Sequence, residues 1–592
     1  MARPSILLLR GWVLALAGGL SLTAASAARA DIVLSLSYVD TESTAWTRFV
    51  SWVDQALDGT PPYGFSATDA AYVYRVTGLS AYGELAVATV EAQVVEAEAA
   101  IALGERPPIA FDSYLEVGPF LHDLALVYDW CAALTNPGQR ERWAAYAEQA
   151  VWNVWHPDDA EWGGVAHPWS GWATSDPGNN YHFSFLEATM YWALASDSTS
   201  WIDFLTDVKL PAVVAHFQQL PGGGSREGTG YGLALMRLFE LYRLWQESTG
   251  ENLGAASAHL ADTVDYWIHA TPPSFDRYAP IGDLARESYP WLYDYHRRLL
   301  LEARAATGDE GARRRAAWWL HRISVDEMQS GFNLRHDLLP AGTVEEAPAA
   351  LYHHATGTGH LFARTSWQPD ALWLAVVAGP YDQSHAHRDQ GAFTLFRGDF
   401  LAVTENVFTH SGIEQGSEVH DTLRFERDGQ VVGQRESVST LQVAQQGGRL
   451  AATADLAPAF AGTGAVDAWQ RRYELDATGL LVDDAFDAAA DVTAYFQVQV
   501  PVQPIQVGDR IVAGDLTILP ILPEDPTVGF LQWSTLDATE YLSGWRVTIG
   551  GAGPAAPAGE RYVVRLQLPH VVHVDGFETG GFHAWSQVSA AP

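Results

Sequence analysis

From about residue 40 to residue 335, apolar positions recur at i, i+3, i+4 and i+7, the spacing of one buried helical face. The segments TAWTRFVSWVDQAL, LHDLALVYDWCAAL, RERWAAYAEQAVWNVW, FSFLEATMYWALA, WIDFLTDVKLPAVVAHFQQL, YGLALMRLFELYRLWQES, ASAHLADTVDYWIHA and YDYHRRLLLEARAAT carry it. Most end at joints containing Gly or Pro, such as TNPGQ, DPGNN and LPGGGS, which break the helical run. Two arrangements fit: an irregular bundle, or paired helices closed into a toroid. Aromatic residues gathered near the loops favour the toroid, although core packing accounts for most of the 23 Trp.

After about residue 345 the period changes to two. LWLAVVAG, GAFTLFRG, FLAVTENVF, DTLRFERDGQVVGQ, RLAATADLA, AWQRRYELDATGLLVDDAFD, VTAYFQVQVPVQ, WRVTIGG and RYVVRLQLP read as strands between Gly and Asp turns. Their spacing suits an antiparallel sandwich. The pattern predicts an α+β multidomain chain, an N-terminal (α/α) toroid at 31–340 followed by a C-terminal antiparallel β-sandwich at 341–570, with a tail at 571–592. Residues 1–30 read as a secretory signal peptide. Arg3 and Arg10 precede an apolar run to about Leu22, and small-residue cleavage sites end at Ala27 and Ala30. The expected location is secreted, periplasmic or on a bacterial cell surface, and no later run is long enough to span a bilayer.

Charge narrows the partners. The 592 residues include 71 acidic and 35 basic side chains, a net charge of -36, with Lys209 as the single lysine. Nucleic acid is therefore not expected, since phosphate backbones are held by basic surfaces. An acidic polysaccharide stays open, provided Arg and His gather in one cleft. The single cysteine, Cys131, excludes an internal disulfide and a Cys-based zinc site, and its apolar surroundings predict an inert buried thiol.

Polar groups stand out in four places. SDPGNNYHFSF sets Asn179, Asn180 and His182 before a helix; one Asn serves as a cap, and the set is richer than a cap needs. The glycine-dense GGGSREGTGYG presents Arg226, Glu227 and Tyr231. No strand precedes it and no Lys-Ser/Thr follows, so a phosphate cradle is disfavoured against a loop offering a tyrosine to a cleft. In SHAHRDQG, His385 and His387 are read as projecting to one side of an extended segment, with Asp389 beyond them. SEVHDTLRF places His420 before a strand, and LAVTENVFTHSG carries Glu405 and His410. His387, Glu405 and His420 form a candidate metal set, for zinc first and calcium second, or else a structural hydrogen-bond network.

HAHRDQGAFTLFRGDFLAVTENVFTHSG resembles the H-x-H-x-D-x-G-S-F region of heparinase II/III-type polysaccharide lyases. VHDTLRF is similar to the following His-Asn-Thr strand. LALVYDW, NNYHFSFLEATMYWALA, REGTGYG and RTSW match the helical and linker signatures in order. The motif resemblance spans roughly residues 115–425. It implies an α/α toroid, an antiparallel β-sandwich and β-elimination of uronic-acid polysaccharides, heparan-like, alginate or related. It assigns Asn180 (or Asn179) to the uronate carboxylate, Tyr231 to acid/base work and His385 to catalysis, with His182 beside them. His387 and His420 become metal ligands, and the ion a structural zinc or calcium. The sequence departs from the pattern at Thr404, where the family has aspartate and Glu405 is the substitute. Tyr181 separates Asn180 from His182, and HDT replaces His-Asn-Thr.

The residue types suit that chemistry. A uronate C5 proton is weakly acidic until amide or imidazole donors neutralise the neighbouring carboxylate, and one such donor is worth about 3 kcal/mol. Arg226, Arg286 and Arg388, with Glu227, are candidates for substrate binding, although Arg226 and Arg286 each have a neighbouring glutamate to pair with. Two other readings stay open: a non-catalytic glycan-binding surface protein on the same scaffold, and a zinc-dependent hydrolase built on H-x-H-x-D. The tail DGFETGGFHAWS resembles a short C-terminal signature of exported bacterial proteins and reads as a sorting feature.

Overall fold

The computed structural model describes residues 31–284, 289–405, 416–446, 449–535, 544–550 and 560–568, and the backbone of Val571–Asp575 and Trp585–Ser589. The expected signal peptide, Arg286 and His410 lie outside the described residues. Within the expected tail, Val571–Asp575 pairs antiparallel with Trp585–Ser589.

Among the described residues, twelve α-helices run from Thr44–Leu57 to Glu310–Leu320. The first shows why the periodic segments fold. Ser43 caps it by accepting from the Trp46 amide, and Trp46, Phe49, Val53 and Ala56 form its buried stripe. Ala67–Thr77 and Ser80–Ala102 are helices that the periodicity did not single out, because alanine and valine fill their buried faces and leave no stripe of large side chains. The expected helix across 201–220 is broken by a π-helical turn at Leu205–Lys209.

Asn180–Ser196 is the central helix. Every residue from His182 to Leu194 is buried, as its all-round apolar sequence requires. It packs against Val117–Trp130 and Leu235–Thr249. Cys131, at the end of the first of these, is buried, and burial pushes its thiol up to about 12.

Beyond Leu338 the chain turns to antiparallel sheets. The first has five strands: Tyr352–Ala355, His360–Arg364, Trp373–Val377, Phe393–Arg397 and Asp399–Ala402, adjacent in that order. Its middle strands are buried on both faces rather than alternating. Phe362, Trp373, Ala375 and Phe396 join the helical core, whereas Leu361, Leu374, Val376 and Leu395 join the core of the other sheets. Those are a second five-stranded sheet around Val492–Val500 and an eight-stranded sheet around Val466–Asp476 and Gly479–Ala488. In Val466–Asp476 burial alternates, so Trp469, Arg471, Tyr473 and Leu475 face the core.

Two buried arginines fix the parts in place. Arg364 donates to the carbonyls of Ile268 and His269 (both 3.2 Å) and Thr271 (2.9 Å), so the first sheet grips the C-terminal end of the helix His259–Ala270. Trp373 adds an indole bond to the His269 carbonyl at 2.8 Å. Arg471, paired with Asp484 at 2.7 Å, reaches the Gly391 carbonyl at 2.6 Å, and Tyr473 donates to the same oxygen at 2.7 Å. Gly391 ends the loop that carries His385 and His387. That loop corrects one expectation. Residues 382–392 are turns between strands, not an extended segment, because Ala386 bonds back to Gln383, Ala392 bonds back to Asp389, and Gly391 takes φ +83°.

Candidate functional site

Three loops meet where the helical half faces the sheets. The first precedes the central helix. Asn179 is its cap, accepting from the Tyr181 amide at 3.0 Å. Capping turns the Asn179 side chain inward and leaves Asn180 at the mouth of a cavity of about 500 Å³. The Asn180 Oδ1 is buried with no hydrogen-bond partner.

The second loop runs from Gly222 to Tyr231. Glu227 is buried, and the Asn179 amide donates to its Oε1 at 3.2 Å. Burial, reinforced by Asp176 and, less strongly, Asp283, pushes its carboxyl up to about 8, against a bond from the Asn180 backbone amide that pulls it down. Glu227 is therefore a neutral acid near pH 7, and its Oε2 has no partner. Tyr231 follows at the cavity wall. This loop is stitched to 279–283: Thr229 donates to the Ala279 carbonyl at 2.6 Å, and its amide to that of Ile281 at 2.8 Å.

The third loop brings the histidines. The His385 ring lies flat on the Tyr231 ring, with centroids 3.5 Å apart and planes at 7°. Asp283, fully buried, bridges the pair: its Oδ2 is 2.9 Å from His385 Nδ1 and its Oδ1 2.8 Å from His387 Nε2. His387 Nδ1 lies 3.2 Å from His420 Nε2. An ionised Asp283 accepts from both rings. His387 then accepts from His420, and His385 keeps a lone pair on Nε2, the form a general base needs. Burial, then the neighbouring His387, holds His420 well below the ordinary imidazole range, which keeps it neutral as this relay requires.

The backbones come close. A Cβ on Gly282, at φ +71°, would lie 2.7 Å from the His385 carbonyl and 2.8 Å from that of Glu227. Only glycine fits where the 279–283 segment passes between the second loop and the histidine loop.

The cavity floor belongs to the helical half and is built of ion pairs. Arg237 meets Glu187 at 2.9 Å, Arg298 meets Glu240 at 2.8 Å and Arg335 meets Asp69 at 2.9 Å. His122 bonds the other Glu187 oxygen at 2.9 Å, and Asp123 accepts the Thr68 amide at 3.1 Å. Phe332 lines the cavity, and Tyr63, 88% exposed, packs edge-on against it with centroids 5.1 Å apart, an aromatic surface suited to a sugar face.

The other expected site residues are distributed as follows. His182 does not line this cavity: its Nδ1 bonds the Ala173 carbonyl at 2.9 Å, its ring packs on Trp155, and burial lowers it to about 4. Arg226 pairs with Asp382 at 2.8 Å and donates to the Gly357 carbonyl at 3.1 Å. Arg388 is exposed beside Tyr381 and Gly433. Glu405 takes the Gly544 amide at 3.3 Å, and burial pushes its carboxyl up to about 8.

The donors of His387, Glu405 and His420 do not converge as a three-ligand metal site. Among the described residues, the one such convergence is Glu240, Glu302 and His336. Its carboxylates are already held by Arg298 and Arg243, which suits an ion-pair network. Within the expected set of His387, Glu405 and His420, it is the His387 and His420 nitrogens, 3.2 Å apart, that stand at a spacing one ion could share.

Sequence reasoning missed Asp283, a lone aspartate in PIGDL that reads as an ordinary turn residue. It also missed Glu187, Arg237 and Arg335. A charged residue inside an apolar helical run, as in FLEATM and ALMRLF, is the signal that marks the first two.

A helical half, antiparallel sheets after it, and a tyrosine meeting a histidine where they join define the class: the chain shares the fold of heparinase-type polysaccharide lyases. In particular, it is similar to the heparan sulfate lyase HepC of Pedobacter heparinus at 15% identity and a TM-score of 0.55, covering 89% of this chain and 84% of that one. A heparinase III is similar at 12% identity and a TM-score of 0.58, covering 85% and 76%. Another, the heparinase III BT4657 gene product, is similar at 14% identity and 0.56, covering 91% and 86%. No family model matches the sequence, and no curated protein does. No helix among the described residues is long and apolar enough to cross a membrane.

Proposed function

We propose that this protein is an exported polysaccharide lyase that cleaves a uronic-acid polymer by β-elimination, its helical half a toroid and its sheets a sandwich. The observation that carries the reading is the stack of Tyr231 on His385 at the wall of the cavity that Asn180 also lines. The similar fold of the heparinases supports it.

In this reading the amide of Asn180 holds the uronate carboxylate and spreads the charge that develops when C5 loses its proton. His385, oriented by Asp283, or Tyr231 takes that proton. The C5–H electrons form the C4–C5 double bond, the C4–O4 bond breaks, and the Tyr231 hydroxyl protonates O4. No water enters the products. Glu227, neutral near pH 7, holds Asn179 and the Asn180 amide without adding a negative charge beside the substrate carboxylate. Arg226 and Arg388 would act on more distant parts of the polymer, Arg286 would bind it as well, and His182 supports the central helix. Any zinc would rest on His387 and His420, where it would order the loop, while two imidazole nitrogens do not suit calcium; no step of the elimination needs the ion.

The test is incubation with uronate polymers, read by ultraviolet absorbance of the unsaturated product. Tyr231→Phe should lose turnover by about a thousandfold, within the usual reach of one acid/base group, while still binding polymer. A parent protein that binds polymer and yields no unsaturated product would favour the glycan-binding reading.

A further inference from the structure

We infer that the cavity selects an unsulfated uronic-acid glycan, one whose uronate carboxylate is the single anion the site must neutralise. The inference rests on the lyase reading and adds its substrate class.

A sulfate is a permanent anion, and drawing it out of water requires cations not already spent on the protein's own carboxylates. Among the described residues, three arginines line the cavity, and four carboxylates line it with them. Arg237, Arg298 and Arg335 are each bound to a carboxylate at 2.8 to 2.9 Å. Those carboxylates are buried: Asp69 is 3% exposed, Glu187 6% and Glu240 3%. Pulling an arginine away to meet a sulfate would strand one of them without its partner, which is strongly unfavourable.

The surroundings point the same way. Glu116, exposed at the cavity lining, has no cation paired with it among the described residues' salt bridges. Arg226, on the loop opposite, is neutralised by Asp382. Asp176 and Asp283 stand close enough to raise the Glu227 carboxyl, so the catalytic end is acidic as well. Paired arginines and carboxylates still offer both donors and acceptors, which is what sugar hydroxyls need. Among the described residues the cavity lining is polar, hydrogen-bonding and without surplus positive charge.

The experiment compares backbones that differ only in sulfation: chondroitin with chondroitin 6-sulfate, and heparosan with heparosan that has been chemically N-sulfated and left unepimerised. Alginate and hyaluronan serve as further unsulfated polymers. Initial rates are read by product absorbance at low and high salt. We expect kcat/KM on an unsulfated member to exceed that on its sulfated partner by about a hundredfold, because like-charge contacts in an interface are costly. Raising the salt should narrow the ratio, since repulsion at an open cavity is screened. Glu116→Gln should also narrow it. Sulfated members cleaved as fast as unsulfated ones would overturn the inference and leave the lyase reading standing. A preference unchanged by salt and by Glu116→Gln would overturn it as well, since shape rather than charge would then decide. If no polymer yields unsaturated product, the lyase reading fails and the inference falls with it.

Discussion

Asp283 holds two imidazoles with one carboxylate, so its replacement separates orientation from binding. Asp283→Asn keeps the shape but offers an oxygen to only one ring, which puts His385 or His387 in the wrong tautomer. We expect kcat to fall by about a hundred- to ten-thousandfold with KM little changed. A raised KM with an intact kcat would instead make Asp283 part of polymer binding. Glu227 gives a test by pH. Its folded carboxyl titrates near 8 against an ordinary value of 4.5. Between those values the folded state holds a proton that the unfolded chain has released, so this group's contribution to stability falls as pH rises through the window and is level above it. Glu227→Gln lacks the loss. Its stability relative to the parent should therefore rise from about pH 5 to about pH 8, by a few kcal/mol at most. A melting-temperature difference independent of pH would show the carboxyl to be ionised throughout. Asn180, Tyr231, His385 and His387 could be singled out as candidates from the sequence because Asn-Asn, Gly-rich and His-x-His clusters stand out from the apolar periodicity around them. Asp283 was not, because one aspartate in a Gly/Pro loop is commonplace and its meaning comes only from histidines 102 and 104 residues away.

At the scale of elements, the site depends on loops held by the edges of rigid parts. The residue at 282 sits where three of them converge. Gly282→Ala puts a methyl against two carbonyls at a positive φ, a strain of about 1–3 kcal/mol. The variant should fold and lose most of its activity, with tyrosine–histidine stacking disturbed. Near-parental kcat would mean that the loops can separate without harm. Helices with large apolar stripes and strands with period two were readable because burial of one face dictates those patterns. Ala67–Thr77 and Ser80–Ala102 were not, since alanine faces pack closely without announcing a stripe. The loop at 382–392 was misread as extended because His-x-His alternates like a strand, and only its turn bonds and the grip of Arg471 on Gly391 reveal the bend.

For the whole molecule, the first sheet matters most, since one face belongs to the helical core and the other to the core of the remaining sheets. Its doubly buried strands should make the halves unfold together. Arg364→Ala removes the bonds to the end of His259–Ala270 and takes their arginine donor from the Ile268 and Thr271 carbonyls, while the His269 carbonyl keeps Trp373, at a cost of about 2–4 kcal/mol. Calorimetry should give one transition for the parent and a lower, broadened or split one for the variant. Two well-separated parental transitions would contradict this coupling. The division into helical and sheet halves was open in the sequence from the change of period. The shared sheet was not, because a strand apolar on both faces carries no mark of which partner covers each side. The proposed elimination is tested most directly by digesting a uronate polymer in ¹⁸O-labelled water and weighing the new chain ends. The account predicts products without the label, each cut leaving one unsaturated uronate and no added water, formed about a thousandfold more slowly with Tyr231→Phe. Labelled, saturated ends would show hydrolysis and contradict it.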